Sequence, residues 1–303
     1  MKTIFNNIII SIMTSMPKSI VRLFAYKYVA GENASDAITI VKKLNQKQFS
    51  VTLDILGEHE KDKIITEQTS NDYKNLLTQI HLNDLDCNLS IKPSHLGMDI
   101  SHDCAINNFE NILSTAKHYN NFIRLDMEDS SQTESTINLY EKLNAAHGNL
   151  GIVFQAYLHR TKNDLIELTK TNKINFRLCK GIYKEPPNVA IQNKKGINEN
   201  FMKLLEYAFE NKIYVGIATH DNEIIEKSYA LIEKMKIKNN LFEFQVLYGV
   251  PMSGWLERHL ANNYKVRIYV PFGKDWYDYA IRRLKENPNI AKYILLNLFK
   301  SAS

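Results

Sequence analysis

The sequence predicts an α/β protein folded as a (βα)8 barrel of the TIM type, and three observations support this prediction. Short stretches rich in β-branched and aromatic residues recur eight times, each is followed by a longer stretch with helical periodicity, and no composition break divides the chain. The eight β-rich stretches are residues 49–56, 87–91, 122–127, 151–158, 174–179, 214–219, 241–247 and 266–271. Consecutive strand–helix units place their strands parallel, and eight such units can close a barrel.

The helical stretches have apolar residues three and four positions apart, which is typical of helices that pack one face on a sheet. They cover residues 72–82, 106–117, 133–146, 164–171, 200–209, 223–234, 254–262 and 276–285. An open doubly wound sheet is the alternative, but the first strand is not followed by the glycine-rich turn expected of that fold. We therefore expect a helical segment over residues 1–48, packed on a catalytic barrel over residues 49–303.

Composition and charge narrow the class of protein. The 303 residues are 44% apolar and 23% charged, as in ordinary globular proteins. The net charge of +5 comes without a dense Lys/Arg run, so we expect no nucleic-acid partner. Three cysteines without metal-ligand spacing indicate a reducing compartment, and the absence of HExxH and CxxC motifs predicts no metal site. We expect a cytoplasmic protein.

An apolar stretch near the amino terminus raises the question of membrane contact. Residues 8–13 are too few to span a bilayer, and no small-residue cleavage pattern follows them. Residues 8–24 could form one amphipathic helix, which would pack on the domain or contact the inner face of a membrane peripherally. Packing on the domain is the favoured interpretation.

Polar or ionisable residues stand at the carboxyl end of every predicted strand. Barrels of this kind carry their active sites at that end. We call this end of the barrel the mouth. Because burying charged groups is costly, a mouth lined with such groups indicates a function. The residues are Glu58, Lys92, Asp126, Glu128, Gln155, Tyr157, Arg177, Lys180, Thr219, His220, Asp221, Gln245 and Tyr269.

Side-chain alternation within the strands makes further predictions about these residues. Side chains two apart on a strand share a face, so we expect Asp126 and Glu128 to point the same way. The same reasoning places Gln155 and Tyr157 on one face, although Tyr157 could equally pack against a neighbouring strand.

The charges at the predicted mouth include three cations. Lys92, Arg177 and Lys180 would face mainly Asp126 and Glu128. Such a mouth can accept anions, so both a carboxylate substrate and a phosphate-bearing cofactor would fit it.

The last predicted helix has two contrasting faces. At 100° per residue, one face is an apolar stripe made of Tyr277, Ala280, Ile281 and Leu284. The opposite face consists of Tyr279, Arg282, Arg283 and Glu286. This polar face is either solvated or, if the helix crosses the barrel mouth, directed into it. In the second case the paired guanidinium groups could bind a carboxylate through several charge-assisted hydrogen bonds.

Eight motifs at these positions resemble the proline dehydrogenase family, in the family's order. They are LDILGE at 53–58, LSIKPSHLG at 89–97, RLDMED at 124–129, QAYLHRT at 155–161, RLCKGIYKE at 177–185, GIATHD at 216–221, EFQVLYG at 243–249 and RIYVPFGKDWYDYAIRRLKENP at 267–288. One such motif alone is weak support, but eight in order are specific. The resemblance runs from about residue 28 to residue 299.

The resemblance implies a flavoprotein built on a distorted barrel whose last helix lies over the mouth. It implies that FAD takes a hydride from L-proline, giving Δ1-pyrroline-5-carboxylate in the first step of proline catabolism, and that a quinone then receives the electrons. The alternative within the family is oxidation of hydroxyproline. Because no second catalytic domain follows Phe299, we expect another protein to carry out the next step.

The resemblance also implies roles for individual residues. Asp126 would organise the cations, and Arg177 would lie beside the reacting edge of the flavin. The substrate would be bound by Lys92, Tyr183, Leu247, Tyr269, Tyr279, Arg282 and Arg283. The FAD would be bound by Met127, Gln155, Arg177, Lys180, Gly181, Ile182, Thr219, His220, Gln245 and Glu286.

Two positions depart from the family pattern, and two other functions remain open. Cys179 stands where an aliphatic residue is expected and Ile182 where alanine is expected, which could change how closely the chain packs on the flavin. A Schiff-base aldolase-type barrel would use Lys180 as its nucleophile. A barrel kept only as a ligand-binding or structural module would retain flavin without turnover.

Overall fold

Eight parallel strands form a closed barrel in sequence order, so the predicted (βα)8 fold is confirmed. The computed structural model describes residues 18–171 and 173–286. The strands are β1 (Ser50–Ile55), β2 (Cys87–Ile91), β3 (Ile123–Leu125), β4 (Leu150–Gln155), β5 (Asn175–Cys179), β6 (Tyr214–Ala218), β7 (Phe242–Leu247) and β8 (Val266–Phe272). Leu53 pairs with Leu89 of β2 on one side and with Val270 of β8 on the other, which closes the barrel.

The helices alternate with the strands along the described chain. They are α1 (Lys18–Ala25), α2 (Ala34–Asn45), α3 (Lys63–Leu82), α4 (His102–His118), α5 (Thr133–His147), α6 (Thr161–Thr171), α7 (Lys194–Glu210), α8 (Asn222–Met235), α9 (Trp255–Ala261) and α10 (Trp276–Glu286). Two short 3₁₀ turns, Pro93–Leu96 and Asn239–Leu241, lie after β2 and before β7. The main core lies between the strands and the surrounding helices, as a fold with a helical outer ring requires.

Helix α3 begins at Lys63, well before the predicted start at residue 72. The side chain of Asp62 caps the helix by accepting a hydrogen bond from the backbone N–H of Ile64 at 2.8 Å. Ile64 itself is 78% exposed. The first turns of α3 therefore lack the buried apolar stripe on which the prediction depended.

Strands β3 and β4 are shorter than predicted, which corrects the expectation from alternation. β3 ends at Leu125 and β4 ends at Gln155, so Asp126, Glu128 and Tyr157 lie in loops. Alternation does not extend beyond a strand, because the backbone there no longer keeps the pleat. Neither expected pair of side chains shares a strand face.

Two amino-terminal helices pack on the barrel. Val21 and Ala25 of α1 form an apolar cluster with Ala280 and Ile281 of α10, and α2 packs against β1 and β8. Residues 1–17, which hold most of the predicted amphipathic stretch, lie outside the described residues. Across residues 18–171 and 173–286, no helix is both long and apolar enough to cross a membrane. The domain boundary at residue 48 stays a prediction.

Candidate active site

A cavity of about 610 Å³ opens at the carboxyl ends of the strands. It is lined by every residue to which the family resemblance gave a role and whose side chain the structure describes. These are Lys92, Asp126, Met127, Gln155, Arg177, Lys180, Gly181, Ile182, Tyr183, Thr219, His220, Gln245, Leu247, Tyr269, Tyr279, Arg282 and Arg283. The side chain of the remaining residue, Glu286, lies outside the described part of the chain. The structure brings the predicted residues together, and their individual roles stay predictions.

Arg177 lies at the centre of the cavity wall and is held by four neighbours. Its Nη1 donates to Asp126 Oδ1 at 2.7 Å and to Ser90 Oγ at 3.2 Å, and its Nε donates to Gln245 Oε1 at 2.6 Å. The guanidinium carbon lies 5.1 Å from the centroid of the Tyr269 ring. A buried cation with this many partners is fixed in place before any ligand arrives.

Asp54, which the sequence analysis missed, joins two of the predicted substrate-binding residues. Its Oδ2 lies 3.3 Å from Lys92 Nζ and accepts a hydrogen bond from the Tyr269 hydroxyl at 2.7 Å. Burial raises the pKa of the Asp54 carboxyl, and the positive charge of Lys92 only partly offsets this effect. For Lys92 burial works against the ammonium, but the charges of Asp54 and Asp126 outweigh it and raise the pKa.

The signal that could have identified Asp54 is its position within the strand. It is a charged residue inside the otherwise apolar run LDIL, next to the last residue of β1. The other lining residues that were not singled out are mostly apolar or lie in loops. They are Leu56, Gly57, Val153, Ala218, Val246, Asp275 and Asp278.

Lys180 is paired differently from the prediction. It forms an ion pair with Asp221, whose Oδ2 also lies 3.0 Å from Lys194 Nζ. Burial alone would raise the pKa of the Asp221 carboxyl, but the hydrogen bonds from the two lysines lower it to about 2. The Lys180 amine is therefore held by Asp221, whereas a Schiff-base nucleophile must present its amine to a carbonyl substrate.

Glu128 lies behind the cavity lining, where its carboxylate is bound by Ser94. Its Oε2 accepts a hydrogen bond from the Ser94 backbone N–H at 2.9 Å, and its Oε1 accepts one from the Ser94 hydroxyl. The carboxylate is buried and holds the loop after β2, outside the cavity lining. Glu128 therefore acts on Lys92 through its charge, although its hydrogen bonds are to Ser94 and it does not line the cavity.

His220 is held as a neutral imidazole beside the mouth. Its Nε2 accepts a hydrogen bond from the Leu247 backbone N–H at 3.0 Å. Burial, and then the positive charge of Arg283, lower the pKa of His220 to about 4. At neutral pH the remaining proton is on Nδ1, which makes that nitrogen a hydrogen-bond donor.

The polar face of α10 is directed into the cavity, which answers the question left open by the helical pattern. Arg282 Nη2 lies 3.5 Å from Glu58 Oε1, across from the loop after β1. The Arg283 guanidinium lies 5.2 Å from the centroid of the Tyr279 ring and is 8% exposed. Because the apolar face of α10 packs on α1, the two arginines face the mouth.

The fold and this site define a (βα)8-barrel enzyme with a cationic active site at the carboxyl ends of its strands. Comparison with known proteins gives the family. The model of the family described as "Proline dehydrogenase" matches residues 37–294. The chain belongs to the proline dehydrogenase family and is an oxidoreductase of proline catabolism.

Individual relatives agree with the family assignment. The chain is 36% identical over 280 residues to proline dehydrogenase 1 of Bacillus subtilis subsp. natto, covering 92% of each chain. It is 33% identical over 282 residues to proline dehydrogenase of Deinococcus radiodurans, covering 91% of this chain and 90% of that protein. The structure of proline utilization A from Bdellovibrio bacteriovorus superimposes with a TM-score of 0.80 at 24% identity, over 87% of this chain. This chain spans 32% of that protein, and the likeness shows the fold alone.

Proposed function

We propose that the protein oxidises L-proline to Δ1-pyrroline-5-carboxylate with FAD as its hydride acceptor. The observation that carries the proposal is that Lys92 and the two arginines of α10 line the same cavity as the buried Arg177. Lys92, Arg282 and Arg283 can bind the carboxylate of an amino acid. Arg177 then remains available to act on the redox cofactor.

The substrate would be held at its carboxylate and around its ring. Arg282, Arg283 and Lys92 supply charge-assisted donors for the carboxylate. Tyr183, Tyr269 and Leu247 supply apolar surface for a five-membered ring and exclude water from it. Anchoring one end of a small substrate orients the other, which lowers the entropic part of the barrier.

The cavity has features that fit a flavin. Gln155 Oε1 is buried without a hydrogen-bond partner among the described residues, so it can accept a bond from a ring N–H of the cofactor. Gly181, which lines the cavity, has φ of +102°, and a Cβ there would lie 2.2 Å from the Tyr157 ring, so only glycine fits at this position. Lys180 and the neutral His220 add a cation and a donor on the same wall.

The chemistry divides between the cofactor and the protein. When bound, the flavin would accept the hydride that leaves the proline ring carbon beside the nitrogen. Arg177 places a fixed positive charge in the cavity, which favours negative charge that develops near it. Asp126 and Gln245 keep the guanidinium in place through hydrogen bonds of 2.7 and 2.6 Å.

The direct test is a visible absorption spectrum of the purified protein before and after L-proline is added without air. The proposal predicts flavin bands that bleach with L-proline. Faster bleaching with hydroxyproline would identify hydroxyproline as the preferred substrate. Bands that persist with every imino acid would favour the ligand-binding barrel, and a colourless protein that FAD does not reconstitute would remove the proposal. Borohydride trapping of a carbonyl substrate at Lys180 would then support the aldolase alternative.

The electrons would leave for a membrane quinone, and the protein would be cytoplasmic with peripheral contact to the inner face of the membrane. The motivation is the amphipathic stretch over residues 8–24 together with the net charge of +5. Binding to anionic vesicles would be compared between the full chain and a chain without residues 1–24. Equal binding of the two chains would remove this part of the proposal.

A further inference from the structure

Asp54 is a buried charged residue of the cavity to which the sequence analysis gave no role. It is 1% exposed, and it lies in β1, whose neighbours in the barrel are β2 and β8. β8 carries Tyr269, and Lys92 follows directly after β2. The barrel closure therefore places Asp54 between two residues that the proposed function assigns to the substrate.

A single oxygen of Asp54 binds both of these neighbours. Oδ2 lies 3.3 Å from Lys92 Nζ and 2.7 Å from the Tyr269 hydroxyl. The other oxygen, Oδ1, is buried and has no hydrogen-bond partner among the described residues. One carboxylate atom thus joins Lys92 to Tyr269.

The neighbouring carboxylate of Asp126 cannot replace Asp54 in this task. Asp126 Oδ1 is already bound by Arg177 at 2.7 Å and by the Ser90 hydroxyl at 2.6 Å. Its Oδ2 lies 3.2 Å from the Tyr269 hydroxyl, farther than Asp54 Oδ2 at 2.7 Å. Since a phenol has one hydrogen to donate, the shorter contact marks Asp54 as its main acceptor.

The lysine depends on Asp54 even more strongly. A lysine side chain is a flexible stem with a compact charge, so its ammonium is placed only by its partners. The described structure gives Lys92 one ion pair, and that pair is with Asp54. Without this ion pair the Lys92 side chain would populate several rotamers.

We propose that Asp54 is a positioning residue of the active site, which fixes the Lys92 ammonium and the Tyr269 hydroxyl where the substrate carboxylate and ring are bound. This inference rests on the proposed oxidation of proline. Asp54 acts through its two neighbours and does not itself accept the hydride or bind the flavin. Loss of the Asp54 carboxylate should therefore weaken proline binding and leave flavin binding unchanged.

A double-mutant cycle between Asp54→Ala and Lys92→Met tests the proposal. The flavin-loaded variants are mixed with L-proline without air, and the dependence of flavin bleaching on proline concentration gives the apparent Kd and the limiting rate. We expect Asp54→Ala to raise the apparent Kd about tenfold, because a charge-assisted hydrogen bond that orders Lys92 is lost. In the Lys92→Met background the same change should raise it less than about threefold, because the partner is already gone.

Two further variants separate positioning from a general structural effect. Asp54→Asn keeps one acceptor oxygen and the side-chain shape, so it should recover at least half of the lost affinity on a logarithmic scale. Asp86→Asn removes an acid at the other end of the same strand pair, where it binds the Ser50 hydroxyl, and should leave the Kd within about twofold of the unaltered protein. If Asp54→Ala does not fold, Asp54→Asn completes the cycle with Lys92→Met.

The outcomes distinguish the inference from the function on which it rests. Equal increases in Kd from the Asp54 change in both backgrounds, or no increase at all, would overturn the positioning role while leaving proline oxidation intact. An unaltered protein whose bound flavin is not bleached by proline would overturn the proposed function and this inference with it. A Kd effect confined to the background that retains Lys92 supports the proposal.

Discussion

Two layers of charged side chains lie inside the same barrel, and a carboxylate in each, Glu243 and Asp54, is bound by a different kind of cation. The deeper layer, near the amino ends of the strands, contains Glu243, Arg267 and Arg124. The mouth layer, at the carboxyl ends, contains Asp54 and Arg177 together with the residues around them. Both layers are buried, so the comparison separates the effect of burial from the effect of pairing.

The deeper layer has partners within the barrel. Arg267 Nε donates to Glu243 Oε1 at 2.7 Å, and Arg267 Nη1 donates to the Val51 carbonyl at 2.7 Å. Arg124 Nη1 donates to the Asn175 carbonyl at 2.7 Å. Burial alone would raise the pKa of the Glu243 carboxyl, but the charge and hydrogen bond of Arg267 lower it to about 2.

One carboxyl group of the mouth layer, Asp54, shows the opposite direction. The pKa of Asp54 is raised, because burial outweighs its single ion pair with Lys92. A carboxylate that binds a guanidinium directly is thus stabilised as an anion, whereas one that shares a lysine and a phenol remains costly to ionise. Burial alone thus does not set the direction of a carboxyl pKa, because the groups that bind the carboxylate decide whether the anion is stabilised.

Gln245 connects the two layers. Its Nε2 donates to Glu243 Oε1 at 2.7 Å, and its Oε1 accepts from Arg177 Nε at 2.6 Å. Because a carboxylate only accepts, Glu243 determines which end of the amide faces Arg177. The deeper layer therefore contributes to the orientation of the buried cation at the mouth.

The largest expected effect comes from breaking the deeper layer. Glu243→Ala leaves the Arg267 guanidinium buried without its carboxylate, and we expect the free energy of unfolding to fall by about 3–5 kcal/mol. Urea unfolding measures this. As a control, Glu167→Ala removes a partner of the exposed Lys170 and should change stability by less than about 0.5 kcal/mol. Similar losses of stability in both variants would contradict the distinction between a buried and an exposed ion pair.

Acid should weaken the same layer. The folded pKa of Glu243 is about 2, below the ordinary value of 4.5, so its contribution is complete above pH 4.5 and is lost as the pH falls towards 2. The full contribution is on the order of 3 kcal/mol. Unfolding free energies measured between pH 6 and pH 3 should fall less steeply in Glu243→Gln. A slope equal to that of the unaltered protein would contradict this assignment.

The two arginines of α10 should differ in their importance. Arg283 is 8% exposed, whereas the side chain of Arg282 is 36% exposed and is paired with Glu58. We expect Arg283→Met to lower kcat/KM for proline about 100-fold, and Arg282→Met about fivefold. Steady-state kinetics on flavin-loaded variants measure both. Equal effects would show that burial does not determine the strength of substrate binding here.

The smallest effect concerns pH and catalysis. The proline amine must be neutral to lose a hydride, so kcat/KM should rise with pH, by at most about tenfold per unit, until the amine is deprotonated. The raised pKa of Lys92 and that of Tyr269 keep both groups protonated over the neutral range, so the slope would not come from them. A flat profile from acid to alkaline pH would contradict this part of the mechanism.

The order of elements and most of the mouth could be predicted from the sequence for a simple reason. Strand tips in a parallel barrel all meet at one end, so residues such as Lys92, Arg177 and Gln245 are brought together by topology alone. The exceptions have local causes. Glu128 and Tyr157 were expected on strand faces, but β3 and β4 end before them, and strand ends are the least predictable part of a pattern.

Periodicity and motifs local in the chain predict the eight-unit barrel, the end at which the site lies and the family. Which charges pair depends instead on the tertiary structure. Lys92 binds Asp54 and Lys180 binds Asp221, and neither partner was the expected one. The direction of the polar face of α10 was also decided in three dimensions, by the packing of Ala280 and Ile281 on α1. Ion pairing and the direction of a helix face depend on the distance between residues that are far apart in the chain. No local pattern encodes that distance.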